Sequence, residues 1–463
     1  MAISPSDFGA SFKTFLDQMS SVAPVEEPIF RRRLRDHFRC EPNQLPTLGE
    51  KFAVFDHVNL HFALEAEFGQ TDCSVEAFGV INPHPYMGAT LSMLMATGGQ
   101  EGVEEGPVEY ANVTLDGDRV VACVQSGLFL VKRGDESLAV LVSGPAREYQ
   151  PMAQVSVQVM APSRTLAEEF LAGLRTAMRK RNVYRGHVIS LSESRTGNME
   201  IKFHKLPGVS RQNIILPIGL LERIERQTVR FSELSEKLVA AGRHLKRGIL
   251  LHGPPGTGKT LTAMYVARAI RDRTVLLLTG RGQGMIEQSC ALARTLQPAI
   301  VILEDVDLVA EERTRPGAAC AGPLLFELLN QMDGLADDAD VLFLLTTNRP
   351  DILEPALAAR PGRVDQAVEI PLPDAECRQR LFDLYSDKLA LGKVNRETFV
   401  QRTEGASAAF IREMMRKAAL FAADESSATV EDRHLDEAVH ELVIEGGSLT
   451  QRLLGFASTD AEV

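Results

Sequence analysis

No apolar stretch in the chain approaches the ~18 to 20 residues that cross a bilayer, so a membrane-spanning segment is not expected. The basic start and apolar core of a secretory leader are also missing, and Asp7 and Asp17 stand where one would begin. Together these absences point to the cytoplasm. The six cysteines, at positions 40, 73, 123, 290, 320 and 377, form no C-x-x-C pair, and no H-E-x-x-H occurs. Zinc-site and disulfide spacings are therefore absent, and reduced, buried thiols are expected. Nor is there a surplus of positive charge. A formal net charge of -12 argues against a chain built mainly to coat nucleic acid. Internal repeats and low-complexity tracts are lacking too.

What is present is ordinary folding material, 463 residues of which 44% are hydrophobic and 24% charged. That length suits two to four domains of ~100 to 200 residues. Residues 1 to about 70 place apolar positions at helical spacing, as in "FGASFKTFLDQM" and "FRRRLRDHF", interrupted by Pro24, Pro28, Pro42 and Pro46. From about 78 to 160 the texture changes to short β-rich runs, "ANVTL", "RVVACV", "LFLVKR", "LAVLVS" and "QVSVQVM", parted by "DGD", "SG" and "GDES" turns. A helix from Ser163 to about Lys180 precedes strands near "HVISLS" and "MEIKFH". Residues 1–200 thus read as an α+β N-terminal domain, without a catalytic motif.

The stretch "GILLHGPPGTGKT", 248–260, has a different character: a buried strand enters a glycine-rich loop and then a helix from Lys259. Gly253, Gly258, Lys259 and Thr260 fit G-x-x-x-x-G-K-[ST]. Such a loop needs glycines so that its N–H groups can close round a phosphate. Its lysine supplies a point charge at the β/γ oxygens and its hydroxyl can hold Mg²⁺. The site residues expected from this motif are Gly253, Pro254, Pro255, Gly256, Thr257, Gly258, Lys259, Thr260 and Leu261, with ATP and Mg²⁺ as ligands.

A second apolar run, "AIVILEDVDLV", ends in Glu304, Asp305 and Asp307. In open α/β sheets ligands gather outside the carboxyl ends of strands, where the first two acids would sit. Successive strand residues point to opposite faces, so Glu304 and Asp305 cannot share one job. Asp307 reads as a cap of the following helix.

Together, "GPPGTGKT", the acidic strand end, "LLNQMDG", "TTNRPDILEPALAARPGRVD" and "TEGASAAFIREMMRKAALFAAD" resemble the AAA family of ring-forming ATPases. The likeness covers about 211 to 445. It implies a P-loop α/β large subdomain at 213–372 with a five-stranded parallel sheet and flanking helices. A small helical lid and tail would follow at 373–463, and 201–212 would be the linker from the N-terminal domain. In that family the strand usually ends Asp-Glu; here the order is Glu304 then Asp305, as in the branch of the mitochondrial Rieske-protein translocase. The resemblance gives Glu304, with Thr260, to Mg²⁺ and Asp305 to the attacking water. Asn348 matches the polar sensor, and Arg360 and Arg363 match arginine fingers that act on a neighbouring subunit's nucleotide. Gly405, Ser407 and Ala409 align with the second sensor, and Tyr385 stands where many relatives place a histidine near the adenine. Asp333 and Gly334 fall in the segment that reports nucleotide state between subunits.

A trans-acting finger implies a closed ring, a homo-hexamer by resemblance. The expected activity is ATP hydrolysis coupled to remodelling, disassembly or translocation of protein substrates selected through residues 1–200. A nucleotide-gated scaffold with slow hydrolysis is the alternative, and a DNA-directed loader or helicase is a third reading. The threading relatives carry an aromatic-apolar pair on a pore loop. Here "TGRGQGMIEQSCALARTLQPA" has no aromatic residue, leaving Met285 and Ile286 as candidates for grip. The basic runs "RRRLR" and "RKRNVYR" are expected to be solvated helix ends.

Overall fold

A computed structural model describes residues 8–9, 11–15, 27–83, 88–96, 103–145, 153–194, 198–278, 285–307, 323–334, 339–351, 353 and 364–445. The chain divides into two compact units. One comprises Met1–Val183 with Glu193–Glu200, and the other Tyr184–Ser192 with Ile201–Val463.

Among the described residues the first unit is a seven-stranded antiparallel sheet with helices on both faces. In chain order its elements are α1 (Ile29–Phe38), β1 (Thr47–Ala53), α2 (His57–Phe68), β2 (Cys73–Ile81), α3 (Leu91–Met95), β3 (Glu104–Gly106) and β4 (Glu109–Thr114). They continue as β5 (Val120–Arg133), β6 (Glu136–Ser143), β7 (Gln154–Met160) and α4 (Arg164–Lys180). The strand order is β1-β7-β6-β5-β2-β3, with β4 also paired to β5. Alternation along β6 explains the layering. Leu138, Val140 and Val142 face Leu60 and Leu64 of α2 and Phe170 and Leu174 of α4, while Ala139 and Leu141 face Phe30 and Leu34 of α1 and Leu91 and Leu94 of α3.

Two sequence expectations change here. "TLGEKFA", placed in the helical opening, is strand β1, because it pairs along its whole length with β7. "RVVACV" and "LFLVKR", read as two strands parted by a turn at Ser126-Gly127, form one strand, β5, which exchanges partners at that point. Its first half pairs with β4 and its second with β2, while β6 runs along the other edge of the second half, from Ser126 to Arg133.

The second unit opens with β8 (Val188–Glu193) and β9 (Met199–His204), followed by α5 (Leu220–Gln227), α6 (Val229–Glu233) and α7 (Ser235–Ala240). The core continues through β10 (Arg247–His252), α8 (Lys259–Ala269), β11 (Thr274–Leu278), α9 (Ile286–Thr295), β12 (Ala299–Leu303), α10 (Pro323–Asp333), β13 (Val341–Thr347) and β14 (Gln366–Glu369). Helices α11 (Ala375–Ser386), α12 (Arg396–Arg402), α13 (Ala408–Asp424) and α14 (Asp432–His440) complete it. The strand order is β14-β10-β13-β12-β11-β8-β9.

Strands β14, β10, β13, β12 and β11 run parallel and make the expected five-stranded sheet. The sheet nevertheless has seven strands, since β8 lies parallel to β11 and β9 continues beyond it. The boundary drawn at residue 200 therefore moves. "HVISLS" leaves the N-terminal domain because Val188 and Ile189 pair with Val275 and Leu276. Strands β10, β12 and β13 are buried on both faces, which is why they read as unbroken apolar runs. Helices α5 and α8 cover one face through Leu221, Ile224, Ala263 and Val266, and α9 packs on β11 and β12. Helices α11 to α14 share a separate core round Phe382, Phe399, Phe410 and Met414. Asp374, Asn395 and Ser407 accept N–H bonds at the N-termini of α11, α12 and α13.

Candidate functional site

Strand β10 delivers the chain into the loop Gly253–Gly258, and helix α8 starts at Lys259. Gly253 has φ +143°, and a Cβ there would lie 2.2 Å from the Ile370 carbonyl oxygen. At Gly256, with φ +75°, a Cβ would lie 2.6 Å from Ser407 Oγ and 2.9 Å from the Ala409 Cβ. Both positions need a glycine for close approach as well as for backbone angle. The Ala409 N–H donates to the Gly256 carbonyl at 3.1 Å, so the start of α13 touches the loop. Gly405, at φ +72°, makes the turn into that helix.

Lys259 is buried, and its ammonium donates to the carbonyls of Gly253 (2.9 Å) and Pro254 (2.7 Å). Burial lowers its pKa to about 8, against the opposing pull of Asp305 and Asp307. Thr257 closes the loop by donating to the Pro254 carbonyl at 2.9 Å. Thr260 stands exposed one residue into α8, and its hydroxyl favours the ionised form of the nearby Glu304.

Both acids lie just past the end of β12, where the chain leaves strand geometry and the two side chains meet different partners. Glu304 meets Thr260, and its Oε1 is buried with no hydrogen-bond partner. Asp305 turns the other way, with φ +49°, and its Oδ1 accepts from Asn348 Nδ2 at 3.3 Å. Burial raises both carboxyls above the usual range; Asp305 adds to the rise at Glu304, and Asp307 adds to it at Asp305. Neighbouring acids facing one lysine are under-neutralised, which a cation would relieve. Among the described residues no three His, Cys, Asp or Glu side chains form a cage for a metal. One carboxylate with an orphaned oxygen beside one hydroxyl instead suits Mg²⁺, which keeps several waters and takes further ligands from phosphate oxygens.

Asp307 differs from its expected capping role. It is 6% exposed, and its Oδ1 accepts from the Thr347 hydroxyl at 2.8 Å and the Asn348 N–H at 3.3 Å. Its oxygen therefore reaches across to β13. Thr346 and Thr347, which the sequence reading passed over, are fully buried at the end of an otherwise apolar strand. Two hydroxyls after "VLFLL" are the signal that could have marked them.

The remaining expectations fall unevenly. Tyr385 is half-buried against the lid core, which also takes Ile215 from the segment before α5. Burial raises its phenol pKa. Arg360 and Arg363 lie outside the described residues. Asp333 and Gly334 are exposed at the end of α10. Met285 and Ile286 are buried, at 8% and 0% exposed, so neither offers a grip, and Gly280, Gly282 and Gly284 lie outside the described residues. In "RRRLR", Arg31, Arg33 and Arg35 pair with Glu41, Glu105 and Glu27, while Leu34 enters the core. Arg185 donates to the carbonyls of Thr295 and Gln297 at the C-terminal end of α9.

This loop-and-acid geometry has counterparts in known proteins. Residues 249–372 match the model of the AAA family, "ATPase family associated with various cellular activities". The chain is 31% identical over 271 residues to a proteasome-activating nucleotidase of Methanococcus vannielii, covering 56% of this chain and 63% of that protein. It is 32% identical over 232 residues to the 26S proteasome regulatory subunit S10B homolog B of Arabidopsis thaliana, covering 47% and 58%. Over 241 residues it is 32% identical to the ATP-dependent zinc metalloprotease FtsH of Ureaplasma parvum, covering 49% and 33%. Each match spans less than two thirds of the relative's own length. Residues 249–372, which carry the phosphate loop, both strand-end acids and the asparagine that meets Asp305, are thus the segment that matches the AAA ATPase family.

Proposed function

We propose that this chain is a cytoplasmic ATP-hydrolysing AAA-type ring that remodels, disassembles or translocates protein substrates. The carrying observation is a convergence at the carboxyl ends of three strands. Lys259 and Thr260 follow β10, Glu304 and Asp305 follow β12, and Asn348 follows β13. In this reading the loop N–H groups and Lys259 hold the β- and γ-phosphates of ATP. Thr260 and Glu304 would hold Mg²⁺, which neutralises charge on the transferring phosphoryl group. Asp305, oriented by Asn348, takes the proton of the attacking water. Ala409 and Ser407, packed on Gly256, tie the lid to the phosphate loop, so a change in the loop is felt by α13.

Arg360 and Arg363 act in trans in this reading and make a homo-hexameric ring part of the active site. Two of the relatives carry the proteasome in their names and the third is a protease. A polypeptide substrate is the reading those names support. The first unit lies outside the family match and is assigned to target selection.

The test is ATP turnover by the full chain, with Lys259→Ala as control. The variant should bind ATP at least about tenfold more weakly, because backbone N–H groups alone would face an under-neutralised triphosphate. Unchanged affinity and turnover would remove the site assignment. Wild-type assembly on ATP without measurable turnover would favour the scaffold reading.

A further inference from the structure

The backbone ladder between β12 and β13 ends at the pair Leu303–Leu345. Past that point side chains continue it. The Asp305 N–H, turned out of the ladder by φ +49°, donates to Thr346 Oγ1 at 3.1 Å. The Thr347 hydroxyl donates to Asp307 Oδ1, which also accepts the Asn348 N–H. The Arg349 N–H in turn donates to Thr347 Oγ1 at 3.0 Å. The catalytic pair closes the array through Asn348 Nδ2 and Asp305 Oδ1. Asp305 and Asn348 are thus each held twice, once by backbone and once by side chain.

A hydroxyl is costly at 346. The residue is 0% exposed at the end of a strand buried along its length, where valine would pack with the same shape. Burying a hydroxyl without a partner is unfavourable, so its place there implies that the bond it makes is used. The bond stabilises a left-handed residue that is not glycine, a conformation that needs its surroundings to hold it. Asp305 is also one methylene shorter than glutamate, so its reach toward a water depends on where its backbone is fixed. An error of about 1 Å in such placement can cost on the order of a hundredfold in rate.

We propose that Thr346 and Asp307 are positioning residues for hydrolysis: Thr346 fixes the backbone of Asp305, Asp307 fixes that of Asn348, and together they set the reach of the short base. This rests on the hydrolysis reading above. Neither residue touches the reacting atoms. The arrangement accounts for a buried carboxylate at 307 whose oxygen serves β13.

The test compares Thr346→Val with Thr346→Ser, and Asp307→Ala with Asp307→Asn, in the full chain. Three quantities are measured: ATP turnover, affinity for a fluorescent ADP analogue, and amide hydrogen exchange of the peptide containing Asp305 in nucleotide-free protein. Thr346→Val should lower kcat about tenfold or more while affinity stays within about twofold. It should also speed exchange at Asp305. Thr346→Ser should restore most of the turnover and the slow exchange, since it keeps the acceptor. Asp307→Ala should lower kcat in the same way, and Asp307→Asn, which keeps an acceptor oxygen, should recover most of it. Wild-type kcat and exchange in Thr346→Val would overturn the proposal. So would affinity and kcat falling together in Val and Ser variants alike, the mark of a merely structural role. Absence of turnover in the wild type would instead sink the hydrolysis reading, and the exchange comparison would still report whether Thr346 holds Asp305.

Discussion

Asp56 is the residue where the physics of the first unit is most exposed to test. Burial raises its pKa from the ordinary 3.8 to about 6, and the Asn59 amide, which donates to it at 3.4 Å, only partly opposes that. A carboxyl whose folded pKa lies above its unfolded value favours folding below about pH 4 and loses that contribution as pH rises through 6. Asp56→Asn should therefore stabilise the first unit by about 1 to 3 kcal/mol at pH 7.5 and by clearly less at pH 4.5. Urea midpoints at the two pH values measure this, and equal shifts at both would count against it. At this scale the sequence was legible where a residue type has a narrow use: Gly253, Gly256 and Lys259 occupy a loop that few other residues could form. It was less legible where a common residue acts through a partner far along the chain. Thr346 meaning depends on Asp305, 41 positions away, and Asp307 exchanges an expected local cap for bonds to β13.

Elements were legible where one face or both are consistently apolar, as in β10, β12 and β13. They were not where pairing overrides local pattern. β1 is an edge strand with only Phe52 buried, so its sequence gives a weak signal. β5 runs through Ser126-Gly127 because the Ser126 hydroxyl donates to the Val80 carbonyl and the ladder to β6 already begins at Ser126, opposite Ser143. The β8–β9 hairpin follows the same logic on a larger scale. Without it, β11, with the sequence "TVLLL", would present an unpaired apolar edge. A fragment starting at residue 205 should therefore be less soluble and more aggregation-prone than one starting at 184, although both contain the whole AAA match. Size-exclusion profiles of the two fragments test this, and equally monodisperse behaviour would contradict a structural role for the hairpin.

Across the whole molecule, two units divide the work in the proposed reading: one carries a nucleotide site built from three strand ends, and the other lies outside the family match. The trans arrangement is testable by mixing. Arg363→Ala alone should lower kcat by up to about 10³-fold while leaving ATP bound. Adding subunits that carry Lys259→Ala but intact arginines should restore part of the activity, because each defect lies on a different side of the shared interface. No complementation in assembled mixtures would argue for a site complete within one chain. The most direct test of the central claim, that the acids at the end of β12 divide metal binding from water activation, is single-turnover ATP hydrolysis across a Mg²⁺ titration for Asp305→Asn and Glu304→Gln. Asp305→Asn should keep ATP bound at an unchanged Mg²⁺ midpoint and slow hydrolysis on the order of 10²-fold or more, whereas Glu304→Gln should first raise the Mg²⁺ midpoint. Exchanged phenotypes, or turnover unaffected in both, would contradict the account.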